Sequence, residues 1–298
     1  MVEEQQRRSA SLVAWGSVYC THPETLTGGG AWAVRKSSGT DVQLHLLGDW
    51  FLTVAGGGDE LVDRPAVELP AGPQHLIAYL ALHGRSARTL AAATLWPDHT
   101  DKVAAGRLRA VLWRLRHRHA DLPPLLEISD ASLSLASDVV VDVHSLIAAA
   151  GRLIRCTGEP DEDTAATVLG SAELLPGWYD DWVLAARERL QQLRLGALDA
   201  LAGIRRAQRR RHEALQAAFA ATGIEPLHES AHRTIALTHL DNGDIVEAVE
   251  HYKRFRAMLD SELGLPPSDQ FTNLVQPYLN GGRRRARRTR GHGRWVRS

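Results

Sequence analysis

A mostly α-helical chain with small antiparallel β elements follows from three features of the sequence. In residues 101–119, DKVAAGRLRAVLWRLRHRH, Leu108, Val111, Leu112 and Leu115 fall at i, i+3, i+4 and i+7, one apolar stripe of a helix whose other side is basic. That helix is the last of three helical segments that follow short strands and precede a hairpin, the order of an N-terminal winged helix-turn-helix domain. Beyond residue 200, alanines recur at a spacing of 34, as they do in a C-terminal TPR-like α-helical repeat domain. The expected division is a flexible leader at 1–40, the winged helix at 41–143, the TPR-like domain at 144–280 and a basic disordered tail at 281–298.

The totals set bounds on this reading. A length of 298 residues suits about two domains, and 44% hydrophobic with 23% charged residues is an ordinary globular composition. No run approaches the roughly eighteen apolar residues of a membrane span, and the first twenty residues lack the pattern of a signal peptide. Cys20 and Cys156 lie far apart and form no metal-type spacing, so a reduced, cytoplasmic protein with no membrane partner is expected. Lys+Arg and Asp+Glu both number 35, but the charges are unevenly placed. Residues 101–119 hold six Lys/Arg against one Asp, a net of +5, and residues 281–298 hold eight arginines and no acid. Residues 138–280 are acidic, with 14 Lys/Arg against 21 Asp/Glu. The pattern that points to nucleic acid is therefore local.

In chain order, VQLHLLGDWFLTV (42–54) predicts two short strands turning at Gly48-Asp49, with a loop at Gly56-Gly57-Gly58 and a further strand at Ala66–Leu69. Pro73 starts the first helix and Gly84 ends it; the second runs from about Ala87 to Trp96 and stops at Pro97. Asp98 to Asp101 offer N-caps for the third. LLEISDASLSLASDVVVDV (125–143) predicts a two-stranded wing with a polar turn, Ser129, Asp130 and Ser132. From Asp138 onward the pattern reads as helix throughout. A linker helix spans Val143 to Ile154, a break falls at Gly158-Glu159-Pro160, and a helix follows over 161–175. Trp178, Tyr179 and Trp182 then precede a long helix carrying Leu190, Leu193 and Leu201. Ala202, Ala214 and Pro226 fit the small positions and closing proline of one repeat; Ala236 and Ala248 repeat them, with Tyr252 and Phe255 at the following large positions. Thr222-Gly223 and Asn242-Gly243 supply the turns.

On the basic helix, the candidate DNA-contacting residues are Lys102, Arg107, Arg109, Ala110, Trp113, Arg114 and His117. Arginines there can bond guanine edges or neutralise phosphates, and small residues let the helix sink into a major groove. For a helix considered alone, a solvated basic face is the more ordinary reading; the surrounding strands, helices and hairpin favour the groove. Catalytic motifs such as His-Glu-x-x-His, Cys-x-x-Cys and Gly-x-Ser-x-Gly do not occur, so no enzyme activity, cofactor or metal is expected. His228 and His232 are spaced i, i+4 but lack a third ligand. The aromatic cluster at 178–182 is read as a helix anchor rather than a ligand site. The tail reads equally as an arm adding phosphate contacts and as a solvated extension.

LPAGPQHLIAYLALHGRSARTLAAATLWPDHTDKVAAGRLRAVLWRLR (69–116) resembles the OmpR/PhoB-type winged helix of the bacterial antibiotic-regulatory (SARP-like) activators. It departs from that pattern at Val111 and Trp113, where a His and a Ser are common, and in a wing without the usual Gly-Tyr pair. LLPGWYDDWVLAARERLQQLRLGALDAL and EPLHESAHRTIALTHLDNGDIVEAVEHYKRFRAMLDSELGLPPS (225–268), with Glu262-Leu263-Gly264-Leu265-Pro266-Pro267, resemble the TPR-like bacterial transcriptional activation domain (BTAD) of the same regulators. The two resemblances cover roughly residues 42–279. They imply a transcriptional activator that binds double-stranded promoter DNA, at direct repeats and often as a homodimer, and controls secondary-metabolite genes. RNA polymerase or another protomer would meet the TPR-like domain, with His232, His239, Tyr252 and Phe255 as its candidate interaction residues. A phosphoacceptor receiver domain and the ATPase module of larger relatives are not expected. The alternative is a protein-interaction scaffold whose winged helix no longer binds DNA.

Overall fold

The computed structural model describes residues 41–55, 66–118, 122–155 and 160–289. The leader, both cysteines, the glycine triplet at 56–58 and residues 290–298 lie outside the described residues. The chain divides into two compact units. One comprises the residues up to Ala149 with Gly170–Leu190, the other Ala150–Leu169 with the residues from Gln191 onward.

In the first unit, β1 (Asp41–His45) and β2 (Phe51–Ala55) pair antiparallel from Asp41↔Ala55 to His45↔Phe51. Gly48, at φ +86°, lies in the expected turn, where a side chain would be strained. The strand expected at 66–69 is reduced to a bridge, Thr53↔Ala66, extended by the hydrogen bond from Val67 N to Leu52 O. Helix α1 (Ala71–His83) has Leu76 through Leu82 buried without interruption, so it is covered on more than one side. Gly84 at φ +71° ends it, its N–H donating to Leu80 O. Strand β3 (Ser86–Ala87), helix α2 (Arg88–Leu95) and helix α3 (Asp101–Arg118) follow. The wing is β4 (Leu126–Ile128) with β5 (Ser132–Leu135), and β5 also pairs with β3, giving the order β3-β5-β4.

The expectation of unbroken helix from Asp138 is corrected by β6 (Val139–Val141). It pairs parallel with β1, Val42↔Val139 to Leu44↔Val141, and completes a sheet of order β2-β1-β6. Three consecutive β-branched valines favour a strand, and here Val141 is buried while Val140 faces outward. Helix α4 (Asp142–Ile154) begins at once, one residue before its expected start.

Residues 170–190, expected in the helical half, fold with the first unit. Leu47 and Leu174 form an antiparallel bridge, Gly48 N donates to Glu173 O, and Leu175 N donates to Leu46 O. Leu174, Leu175, Trp182 and Val183 are buried.

The second unit is built from helices. α5 (Glu162–Gly170) is shorter than the helix expected at 161–175, and α6 (Asp181–Ala207) is the long one. Then come α7 (Arg211–Ile224), α8 (Glu229–Asp241), α9 (Ile245–Leu263) and α10 (Asp269–Thr289). Arg194 of α6 donates to the last carbonyls of α5, Val168 O and Leu169 O, both at 2.9 Å. Ala202, Ala214, Ala236 and Ala248 are all buried, as the repeat requires where paired helices approach closely. Gly243, at φ +81°, makes the turn expected at Asn242-Gly243. Thr222-Gly223 is no turn, since α7 continues to Ile224 and the chain reverses at Glu225–His228, around Pro226. Helix α10 runs to Thr289, past the boundary expected at 280.

Candidate nucleic-acid interface

Helix α3 is held by one side only. Ala104, Leu108, Val111 and Leu112 are buried, extending the predicted stripe by one turn, while Leu115 is half-buried near the free end. Gly72 of α1 allows the close approach, because a Cβ there would lie 3.1 Å from Val111 Cγ2. The opposite side presents all seven predicted residues, Lys102, Arg107, Arg109, Ala110, Trp113, Arg114 and His117, exposed together. Val103, Arg116 and Arg118 are exposed as well.

The ion pairs separate this basic surface from the other basic stretch of the chain. In the second unit, Arg205 and Arg210 pair with Glu213, Arg206 with Asp241 and Arg211 with Asp244. Among the described residues, no ion pair engages Lys102, Arg107, Arg109, Arg114, Arg116 or Arg118. The described cations of α3 therefore face solvent without an acidic partner among the described residues, while four of the five arginines at 205–211 share three carboxylates.

The wing is tied to the start of α2. Arg88 N donates to Ala131 O at 3.0 Å, and Arg88 Nη1 to Ser129 O at 3.3 Å. Within the turn, Ser132 N donates to Ser129 Oγ and Ser129 N to Ser132 O. Ser129 and Asp130 are exposed, as predicted for a wing tip, and Ser132 is half-buried. Arg88, absent from the candidates above, joins the wing to the start of α2, a role set by a partner some forty residues later in the chain.

The residues proposed for protein contacts are placed differently. His232, Tyr252 and Phe255 are buried and form core rather than surface. His232 Nδ1 and His251 Nε2 share a hydrogen bond at 3.0 Å, and His232 Nε2 faces Pro226 O at 2.9 Å. The His232 ring also stacks on Phe255 at 4.3 Å, and Tyr252 meets Phe271 edge-on at 5.1 Å. Large repeat positions fill the space between helices, so they cannot also greet a partner. His239 is half-buried beside Arg211 and Asp244. Exposed apolar side chains of this unit instead include Phe219, Ile245, Val246, Leu263 and Leu265.

His228 and His232 do not share a ligand set. His228 Nε2 lies 2.8 Å from Asp199 Oδ2, which holds the imidazole's pKa above its ordinary value, whereas burial pushes His232 down. Among the described residues no group of three metal-ligating side chains occurs, and no helix is long and apolar enough to cross a membrane. Trp178 stacks on His75 at 4.1 Å and Trp182 meets Tyr79 edge-on at 5.7 Å, so both anchor residues 170–190 to α1; Tyr179 is 78% exposed.

The described architecture is a winged helix with an exposed basic helix, followed in sequence by helical hairpins with buried alanines. Residues 158–277 match the family described as bacterial transcriptional activator domain. The fold is similar to that of Mycobacterium tuberculosis EmbR, solved in complex with low affinity phosphopeptide. The TM-score is 0.61 at 15% identity over 82% of this chain, which spans 66% of the EmbR chain. No curated protein matches the sequence.

Proposed function

We propose that the chain is a site-specific, cytoplasmic DNA-binding transcriptional regulator that activates at promoters. In this reading α3 enters the major groove and the 126–135 hairpin touches the flanking backbone. The helical domain meets a second protomer or RNA polymerase. Target promoters carry direct repeats, and secondary-metabolite genes are among them. The observation that carries the reading is the outer face of α3, where exposed cations without ion pairs surround small and aromatic residues. A face with no partner would gain solubility from any mixture of charges, whereas one sign alone is what phosphates require.

The test is retention of sheared genomic DNA by the purified chain at two salt concentrations, beside the triple variant Arg107→Glu, Arg109→Glu, Arg114→Glu. Recovery of a few promoter fragments sharing a repeated half-site, lost in the variant, is expected. Retention of every fragment at low salt and none at moderate salt would reduce the interaction to phosphate attraction and restore the scaffold reading.

A further inference from the structure

The outer face of α3 is basic, but its central side chain is not. Trp113 is 57% exposed, Val103 is 47% exposed on the same side, and Ala110 is exposed between them. With 3.6 residues per turn, these three share the outer face of the helix, flanked by Arg107, Arg109 and Arg114. Phosphate neutralisation uses none of this apolar surface. The indole is also held in place. His117 stacks on it at 4.7 Å with 17° between the rings, and His117 Nδ1 lies 2.9 Å from Trp113 O. The imidazole is fixed to the turn that carries the tryptophan, so the indole meets a partner with little orientational freedom left to lose.

Base edges in the major groove present donors, acceptors and one apolar group, the C5-methyl of thymine. An indole offers a single N–H donor and a broad apolar surface, so it gains from losing water only where that methyl faces it. Unpaired arginines on both flanks suit a polyanion and oppose an apolar protein surface in the same place. We propose that Trp113, held by His117, reads the C5-methyl of a thymine, making one T·A pair of each half-site a requirement of this regulator. The inference rests on the major-groove reading of α3.

The experiment starts from a pool of random-sequence DNA duplexes enriched on the full chain. Each thymine of the enriched site is then replaced singly by uracil, which keeps every hydrogen-bonding group and removes only the methyl. Uracil at one position per half-site is expected to weaken binding by the wild-type chain about three- to fivefold, the value of one buried methyl. Trp113→Ala binds more weakly, and is indifferent both to uracil and to base identity at that position. Trp113→Phe keeps the uracil sensitivity. Because Trp113 is exposed, unchanged helical circular dichroism is expected for both variants. Equal uracil sensitivity in the wild type and Trp113→Ala would overturn the assignment, as would a site with no uracil-sensitive position. A pool that yields no enriched sequence would overturn the DNA-binding reading itself, a result distinct from an enriched site blind to the methyl.

Discussion

Asp142 shows how much one side chain can carry when it closes both a sheet and a helix. Its carboxylate accepts from Leu46 N at 3.0 and 3.1 Å, from Leu47 N at 3.0 Å and from Val143 N at 2.7 Å. It joins the end of β1 to the first turn of α4, where a negative charge also suits the helix dipole. Asp142→Ala is expected to cost the first unit about 2–3 kcal/mol, because donors near the chain's interior lose a charged acceptor. Urea denaturation of the full chain reads this; a cost below half a kcal/mol would show that water replaces the carboxylate. The buried pair His232 and His251 yields a second prediction, in the second unit. Burial, then the neighbouring charges of His232, Arg254 and His239, pushes His251 down to about 4. An unfolded chain titrates near 6.5. The contribution of the neutral imidazole is therefore complete above pH ~6.5 and is lost as pH falls towards 4. His228, raised by Asp199, works in the opposite sense, its contribution complete at low pH and lost as pH rises through its folded value. Thermal melts from pH 7 to 4.5 should show a fall of roughly 2 kcal/mol in the wild type and a flatter profile in His251→Gln. Parallel profiles would assign the acid sensitivity elsewhere.

At the scale of elements, what was legible in the sequence depended on whether its cause was local. Helix α3 was readable because an apolar stripe and a run of arginines on opposite faces both follow from spacing alone. The positions of its seven outward residues came with the stripe. Strand β6 was not readable, since three valines after a hairpin become a strand only because β1 offers an open edge, a partner almost a hundred residues earlier. For the same reason Tyr252 and Phe255, expected at a contact surface, are buried: repeat spacing marks large positions without saying which neighbour fills against them. Residues 170–190 are the sharpest case. The match to the activator domain includes them, yet Trp182 packs against Tyr79 and His83 of α1. Trp182→Ala is therefore expected to destabilise the first unit by about 3 kcal/mol and, in the proposed DNA-binding reading, to weaken DNA retention, although the residue lies more than sixty positions beyond α3. Amide hydrogen exchange would localise the loss: faster exchange in α1 and α3 is the expected result, and exchange raised only in α7 to α9 would contradict the packing.

Over the whole molecule, 35 basic and 35 acidic residues leave no net charge, so the chain as a body has no long-range pull on DNA. In the proposed DNA-binding reading, attraction arises within a Debye length of the surface that carries unpaired cations. Four of the arginines at 205–211 are engaged by Glu213, Asp241 and Asp244, whereas the exposed Lys and Arg side chains of α3 have no ion pair among the described residues. The salt dependence of binding then measures how many of those cations meet phosphates. For about four to six phosphate contacts, the logarithm of affinity should fall against the logarithm of salt with a slope of roughly −4 to −5. Arg107→Gln or Arg109→Gln should each reduce that slope by about one if the side chain meets a phosphate, and leave it unchanged while relaxing base choice if it meets a base edge. Neutralising the eight arginines of 281–298 with glutamine separates the two readings of that segment. An unchanged slope makes it a solvated extension, whereas a slope shallower by several units makes it an arm that holds DNA without selecting sequence. A neutral chain whose slope survives loss of Arg107, Arg109 and Arg114 together would place the phosphate contacts off α3 and remove the basis for the groove geometry.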